Sequence, residues 1–209
     1  MVDESGGIPS VAETISETEA IVRAEDRDRY VATLFAPASA RPRLFALHAF
    51  DLALADVVRT TTEPQIGMIR LAWWRDSVEG ASERPVAGQP VLAAVAAVGL
   101  DTAPLAALAE AHMDVLDGAD IGESGAALFR CAAALLGAEG AAGLGDAGRF
   151  WAQASARRRG APPRPRWPHR ARRSSRPPPP APCWKAWWGR PWSSTSSARL
   201  WPRTSSSSA

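Results

Sequence analysis

The chain has 209 residues, of which 46% are hydrophobic, and a formal net charge of +2; this is enough apolar mass for one ordinary domain. Cys131 and Cys183 match neither a disulfide framework nor a metal-ligand spacing, and the longest apolar run, 90–100, is too short to span a bilayer. Residues 1–148 hold all 22 acidic residues and 10 arginines, a net charge of −12, whereas residues 149–209 hold 13 arginines and one lysine, a net charge of +14.

Residues 1–9 are predicted to be a disordered leader. Asp3 and Glu4 stand where a secretory signal carries basic residues, and no apolar run follows them. We therefore expect the chain in the cytoplasm, with a peripheral position at the inner membrane as an alternative.

A helical segment is predicted from Ser10 to Pro37, because its apolar residues recur at helical spacings and proline ends it. The second helix is expected to begin at Ser39, whose hydroxyl suits an N-cap. The third is predicted to begin at residues 62–65, a Thr-Glu-Pro-Gln run similar to a capping box, and to end at Gly80.

Three shorter helices are predicted after a polar loop at residues 81–90. They lie at 90–100, after an N-cap at Asp101, and at 123–136 before Gly137. No segment alternates apolar and polar residues as a strand would. The predicted fold class is therefore all-α, an antiparallel helical bundle with short connections.

The composition changes after residue 148. Residues 149–209 hold seven tryptophans, eleven prolines and no acidic residue, and runs such as 176–180 cannot form a helix interior. With so little aliphatic mass, this tail is predicted to be disordered. A shift of reading frame near 147–157 is one explanation, and a natural basic tail is the other. Such a tail could bind nucleic acid through phosphate contacts and tryptophan stacking or an anionic membrane surface, and a basic-tailed binder of this kind is a further alternative function; nucleic acid is the less expected partner.

Three blocks in the first part of the sequence carry a family resemblance. They are YVATLFAP at 30–37, RPRLFALHAF at 41–50 and RLAWWRD at 70–76, with a fainter block at 123–137. Together they resemble the squalene/phytoene synthase family, the head-to-head prenyl-diphosphate synthases. The resemblance implies a bundle of the isoprenoid synthase type, truncated here, with a partial domain at 10–148 and the tail at 149–209.

The resemblance implies a metal site on the second predicted helix. Members of the family bind Mg²⁺ through an aspartate cluster that would fall on Ala55, Asp56 and Arg59 in this chain. One of three carboxylates remains, and Asp56 is therefore the expected metal ligand and catalytic residue. Arg59 either contacts the diphosphate or forms an ordinary surface pair with Asp56, one turn away on the helix.

Three aromatic residues complete the site that the resemblance implies. Tyr30 would be a catalytic residue, and Phe50 and Trp73 would line the pocket for the prenyl chain. Trp73 also has a structural interpretation: adjacent residues point about 100° apart on a helix, so one of Trp73 and Trp74 is expected to pack in the core and the other to be partly exposed.

Several other polar residues are predicted to be structural. His48 and His112 each stand alone on an apolar helix, where a packed or half-exposed histidine is expected. Arg29 lies among acids of its own segment and is expected to form local ion pairs. Asp51 lies about 140° around the helix from Asp56, so it does not rebuild the metal cluster.

The sequence leaves two functions open. The first is an enzyme of isoprenoid biosynthesis that condenses two prenyl diphosphates with Mg²⁺; weak catalysis or none is expected, because two aspartates of the first motif and the whole second motif are missing. The second is a non-enzymatic role. One branch of the family acts in assembly of respiratory complex I, and residues 62–76 resemble that branch more closely.

Overall fold

The computed structural model describes residues 10–80 and 88–158, and these ranges contain eight helices and no strand. The helices are α1 (Val11–Glu25), α2 (Arg27–Leu34), α3 (Arg41–Thr60), α4 (Pro64–Gly80), α5 (Pro90–Ala97), α6 (Thr102–Leu116), α7 (Gly122–Leu136) and α8 (Leu144–Arg158). The all-α prediction is confirmed for these residues. The leader at 1–9, most of the polar loop at 81–90 and the tail from 159 onwards lie outside the described residues.

The segment predicted as one helix from Ser10 is two helices. Ser10 and Glu13 form a capping box at the start of α1, and Asp26 ends that helix with a non-helical backbone, φ −146° and ψ 89°. The Asp26 carboxylate then accepts a hydrogen bond from the backbone N–H of Arg29 at 3.1 Å. Asp26 is therefore both the C-cap of α1 and the N-cap of α2, and it turns the chain between them.

Helix α3 lies at the centre of the bundle and packs against α1, α2, α4, α5, α6 and α7. Its N-cap is Ala40, without a side-chain hydrogen bond, so the predicted cap at Ser39 is wrong. A proline in the first turn, whose missing N–H costs nothing there, starts the helix instead. Half of the residues of this helix are buried, Phe50, Leu47 and Leu54 completely.

Helix α4 packs closely on α6. A Cβ atom at Gly67 would lie 2.5 Å from Leu116 Cδ2, so the glycine leaves room for the Leu116 side chain between the two helices. The face of α4 that meets the core consists of Gly67, Leu71, Trp74 and Val78. Their spacing of three and four residues places them on one side of the helix.

Helix α8 packs against α7 at a contact between two glycines. A Cβ at Gly125 would lie 2.3 Å from the carbonyl oxygen of Gly148, and a Cβ at Gly148 would lie 2.4 Å from that of Gly125. Helix α8 continues to Arg158, so the boundary that composition places between residues 148 and 149 falls inside it. Within the described ranges, no helix has both the length and the apolar character needed to cross a membrane.

Candidate functional site

The position of the family's metal cluster lies on the surface near the end of α3. Asp56 and Arg59 form an ion pair one turn apart, and their side chains are 47% and 67% exposed. The structure therefore places both residues in the arrangement of a surface pair. A solvated pair of this kind contributes only about 0–1 kcal/mol to stability.

The residues around this pair do not fit the magnesium site that the family resemblance implies. Mg²⁺ prefers octahedral oxygen ligands, usually one or two carboxylates with substrate phosphates and waters. Asp56 offers one carboxylate, and the guanidinium of Arg59 already binds it. Across residues 10–80 and 88–158, no group of three or more His, Cys, Asp or Glu side chains is placed to hold a metal ion.

The three aromatic residues of the implied site lie in different surroundings. Tyr30 stacks on Phe45 with ring centroids 5.7 Å apart. Phe50 is fully buried and meets Trp74 edge to face at 5.8 Å. Trp73 is 43% exposed on the outer side of α4. The structure thus brings Phe50 together with Trp74, while Trp73 points away from the core.

A different set of residues does converge inside the bundle. Asp51, on α3, lies 2.7 Å from Arg29 Nη1 through one oxygen and 2.7 Å from His112 Nε2 through the other. Arg29 also lies 3.1 Å from the carboxylate of Asp26, and its guanidinium stands 4.6 Å from the ring centre of Trp151 on α8. We call Asp26, Arg29, Asp51 and His112 the buried charge cluster; all four are at least nine-tenths buried.

The charges in this cluster hold each other in place. Burial by itself would raise the pKa of Asp51, but Arg29 and His112 beside it hold that pKa well below its usual range. Burial, together with the positive charge of Arg29, lowers the pKa of the neighbouring His48 to about 4. Asp51 is therefore a carboxylate and His48 is neutral at neutral pH.

The arrangement of the buried charge cluster favours a structural role. Both oxygens of Asp51 are bound by protein groups, and the residue is only 3% exposed, so this carboxylate is engaged inside the bundle and is shielded from a metal ion or substrate in solvent. The contacts instead join α2, α3 and α6, and the Trp151 ring adds α8. A buried carboxylate that is paired and hydrogen-bonded in this way avoids the large cost of an isolated buried charge.

Sequence reasoning found part of this cluster. It expected Arg29 to pair locally, which the contact with Asp26 confirms, but it missed the contact with Asp51, 22 residues further along the chain. It treated Asp51 only as a failed metal ligand. A lone aspartate and a lone histidine, each inside an apolar helical stretch, were the available signal, because buried polar side chains are expected to have a hydrogen-bond partner.

An open groove of about 400 Å³ lies between α6 and α7. Alanines line much of it, with Glu110, Asp114 and Arg130 among the charged residues. The thiol of Cys131 donates a hydrogen bond to the Pro104 carbonyl there, and burial raises its pKa to about 11. The groove is lined by none of the site residues that the sequence resemblance implies.

Known proteins resemble parts of this chain. A human protein named NADH dehydrogenase (ubiquinone) complex I, assembly factor 6, is 37% identical over 59 residues, which are 28% of this chain and 18% of the human protein. The bovine protein of the same name is 32% identical over 71 residues, 34% of this chain and 21% of the bovine protein. The matches thus span about a fifth of the length of these relatives. No solved structure matches the chain.

The region around α3 and α4 matches a known protein family. The family model described as squalene/phytoene synthase matches residues 22–130, more than half of the 209 residues. The matched range includes all three sequence blocks and the Asp56–Arg59 pair. The helices within the matched range include α3 and the helices that supply Arg29 and His112, the partners of Asp51. The chain therefore belongs to the squalene/phytoene synthase family.

Proposed function

We propose that this chain is a non-catalytic member of the family that acts in the assembly of respiratory complex I. The observation that carries the proposal is the state of the metal helix. Its one remaining family carboxylate, Asp56, is a surface residue bound to Arg59. Inside the bundle the carboxylate of Asp51 is bound by Arg29 and His112.

The chemistry of prenyl transfer explains why this arrangement favours a non-catalytic role. Ionisation of an allylic diphosphate needs metal ions that neutralise the leaving group, and such ions need several oxygen ligands at one place. A single carboxylate paired with a guanidinium does not supply them. Mg²⁺ and prenyl diphosphates therefore belong to the alternative, enzymatic function.

The names of the relatives also support a role in the assembly of complex I. The human and bovine proteins that match this chain are both named as complex I assembly factors. The proposal extends that role to this chain, although the matches cover only about a fifth of those proteins. A peripheral position at the membrane surface, beside the assembling complex, is part of the proposal.

The first experiment is genetic. The gene is deleted in its source organism, and NADH:ubiquinone oxidoreductase activity, assembled complex I on a native gel, and squalene and phytoene content are measured. We expect complex I to fall while both isoprenoids stay unchanged. Rescue by the Asp56→Ala variant should equal rescue by the unaltered chain. Normal complex I in the deletion strain would overturn the proposal.

The second experiment tests the enzymatic alternative directly. The purified chain is incubated with farnesyl or geranylgeranyl diphosphate and Mg²⁺, and the products are analysed. We expect no squalene or phytoene above the level of a protein-free sample. Product that forms with the unaltered chain and disappears with Asp56→Ala would show that a single carboxylate is enough for catalysis.

A further inference from the structure

Helix α4 is apolar on two sides. Its inner face, described above, packs on the core. On the opposite side Ile66, Ile69 and Trp73 are 49%, 69% and 43% exposed. Spacings of three, four and seven residues align these three side chains along one side of the helix. We call them the outer ridge.

The outer ridge cannot turn towards the core. Gly67 presses against Leu116, where even a Cβ atom would be 2.5 Å away, and Trp74 is buried against Phe50. A rotation of α4 would bring larger side chains to the Gly67 contact and expose Trp74. Ile66, Ile69 and Trp73 therefore stay exposed as one apolar row, and exposed apolar surfaces of this kind commonly mark an interaction site.

The charges beside the outer ridge indicate what kind of partner fits. Arg70 is exposed, and its guanidinium contacts the hydroxyl of Thr61 at 3.5 Å. Within residues 10–80 and 88–158 it forms no ion pair with a carboxylate. Asp76, by contrast, is already bound by Arg75 at 2.8 Å. The surface therefore presents an apolar row with an unmatched cation next to it.

We propose that the outer ridge is a docking surface for an amphipathic helix of a partner protein. The apolar side of that helix would pack on Ile66, Ile69 and Trp73, and a carboxylate next to it would pair with Arg70. Anchor residues at such spacings are how helices commonly recognise one another. The inference rests on the proposed function, in which the partner is a component of assembling complex I.

An anionic membrane fits this surface less well than a protein helix. Asp56, Glu63, Asp76 and Glu79 lie on or beside α4, so acidic residues are as common here as basic ones. Binding to anionic lipids relies on a local excess of lysine and arginine. The unmatched charge is a single guanidinium, which suits one carboxylate on a protein.

The first test uses a photo-crosslinking amino acid at position 69 of the full chain, expressed in cells that lack the gene. A second chain carries it at position 11, because Val11 is an exposed apolar residue of α1. We expect position 69, and not position 11, to crosslink to a complex I component, within a helical segment that carries a carboxylate. Crosslinks to lipid, to a second copy, to the chain's own residues or to nothing would each overturn the proposal.

The second test asks whether the outer ridge is needed in the cell. A chain with Arg70→Glu and Trp73→Ser is compared with Val11→Ser, after circular dichroism and immunoblotting confirm equal helix content and equal amounts. Since central interface residues dominate affinity, we expect about tenfold weaker rescue of complex I by the double variant and full rescue by Val11→Ser. Full rescue by the double variant would overturn the ridge proposal.

These outcomes separate the two proposals. If deletion of the gene lowers complex I but the double variant rescues it, the docking surface is wrong and the proposed function stands. If deletion leaves complex I unchanged, the proposed function fails. The crosslink at position 69 then tests the docking surface separately. A helical segment of a complex I component at that position supports the docking surface, and any other product contradicts it.

Discussion

Arg29 is the residue on which most of the buried electrostatics depend. It contacts Asp26, Asp51 and the ring of Trp151, which belong to three different parts of the chain. A buried ion pair adds little net stability compared with apolar residues of the same shape, but removing one partner leaves a buried charge unpaired. Removing one partner should therefore lower the free energy of unfolding by much more than the intact pair adds to it.

Replacing Arg29 with methionine should strongly destabilise the protein. Asp51 would keep one partner, His112, and lose its guanidinium, so we expect a loss of about 3–5 kcal/mol in the free energy of unfolding. Chemical denaturation followed by circular dichroism measures it. The matched control is Arg59→Met, which breaks the exposed pair with Asp56 and should cost about 0–1 kcal/mol. Equal effects of the two substitutions would contradict this account of the cluster.

His48 should make stability depend on pH. Its pKa is lowered from 6.5 to about 4 in the folded protein, and its buried Nδ1 has no hydrogen-bond partner among the described residues. Between pH 6.5 and 4 the unfolded chain therefore binds a proton that the folded chain does not, so stability falls as the pH falls through this range.

The measurement is the free energy of unfolding at several pH values for the unaltered chain and for His48→Gln. We expect a smaller slope between pH 6.5 and 4 in the variant, because glutamine does not titrate. Asp51 adds a second effect at lower pH: its pKa is depressed, so its contribution is present above the ordinary carboxyl pKa and is lost in strong acid. Parallel pH profiles for the two proteins would contradict the assignment to His48.

At the scale of elements, the contact between α7 and α8 depends on two glycines. The backbones meet at Gly125 and Gly148, where an added Cβ would lie closer to a carbonyl oxygen than any real contact allows. The carbonyls belong to helices, so they cannot move aside as a flexible side chain would. Trp151 of α8, which stands over Arg29 and packs near Phe129 at 5.9 Å, is positioned by this contact.

Gly125→Ala should push α8 away from α7. We expect a loss of about 1–3 kcal/mol and faster hydrogen exchange of the α8 amides. Gly145→Ala is the matched control on α8 itself, because its added Cβ would meet nothing nearer than the end of Arg149 at 3.7 Å. Alanine there should be neutral or stabilise by about 0.5–1 kcal/mol. Unchanged exchange of α8 in Gly125→Ala would show that the two helices can separate freely.

At the scale of the whole molecule, the separation of charge along the chain should govern its association. Residues 1–148 carry −12 and residues 149–209 carry +14, so different chains attract one another through opposite ends. Raising the salt concentration from about 0.01 M to about 1 M shortens the range of this attraction from about 30 Å to about 3 Å.

We therefore expect the full chain to associate at low salt and to disperse at high salt, measured by light scattering. A chain that ends at Arg158 has lost eleven of the fourteen positive residues of 149–209 and should show little dependence on salt. A particle size that is independent of salt in the full chain would mean that the opposite charges do not act between molecules. An equal salt dependence in the shortened chain would mean that other charges are responsible.

The sequence by itself determined the helical nature of this protein and many helix ends. These depend on local features: Asp101 caps α6 through the N–H of Ala103 at 3.1 Å, and Gly137 ends α7 at φ 65°, a conformation that suits glycine. The resemblance in the blocks at 30–37, 41–50 and 70–76 also indicated the family. The sequence did not indicate that α8 continues to Arg158, because the composition of residues 149–158 resembles that of the tail.

The tertiary structure decided which residues meet. Asp51 and His112 are 61 residues apart in sequence, and no local pattern states that two lone polar residues on different helices will bind each other. Adjacent tryptophans at 73 and 74 look alike in sequence, yet one is buried and the other lies on the outer ridge, because Trp74 shares the core-facing side of α4 with Leu71 and Val78. Such contacts depend on how whole helices pack, which local propensity does not determine.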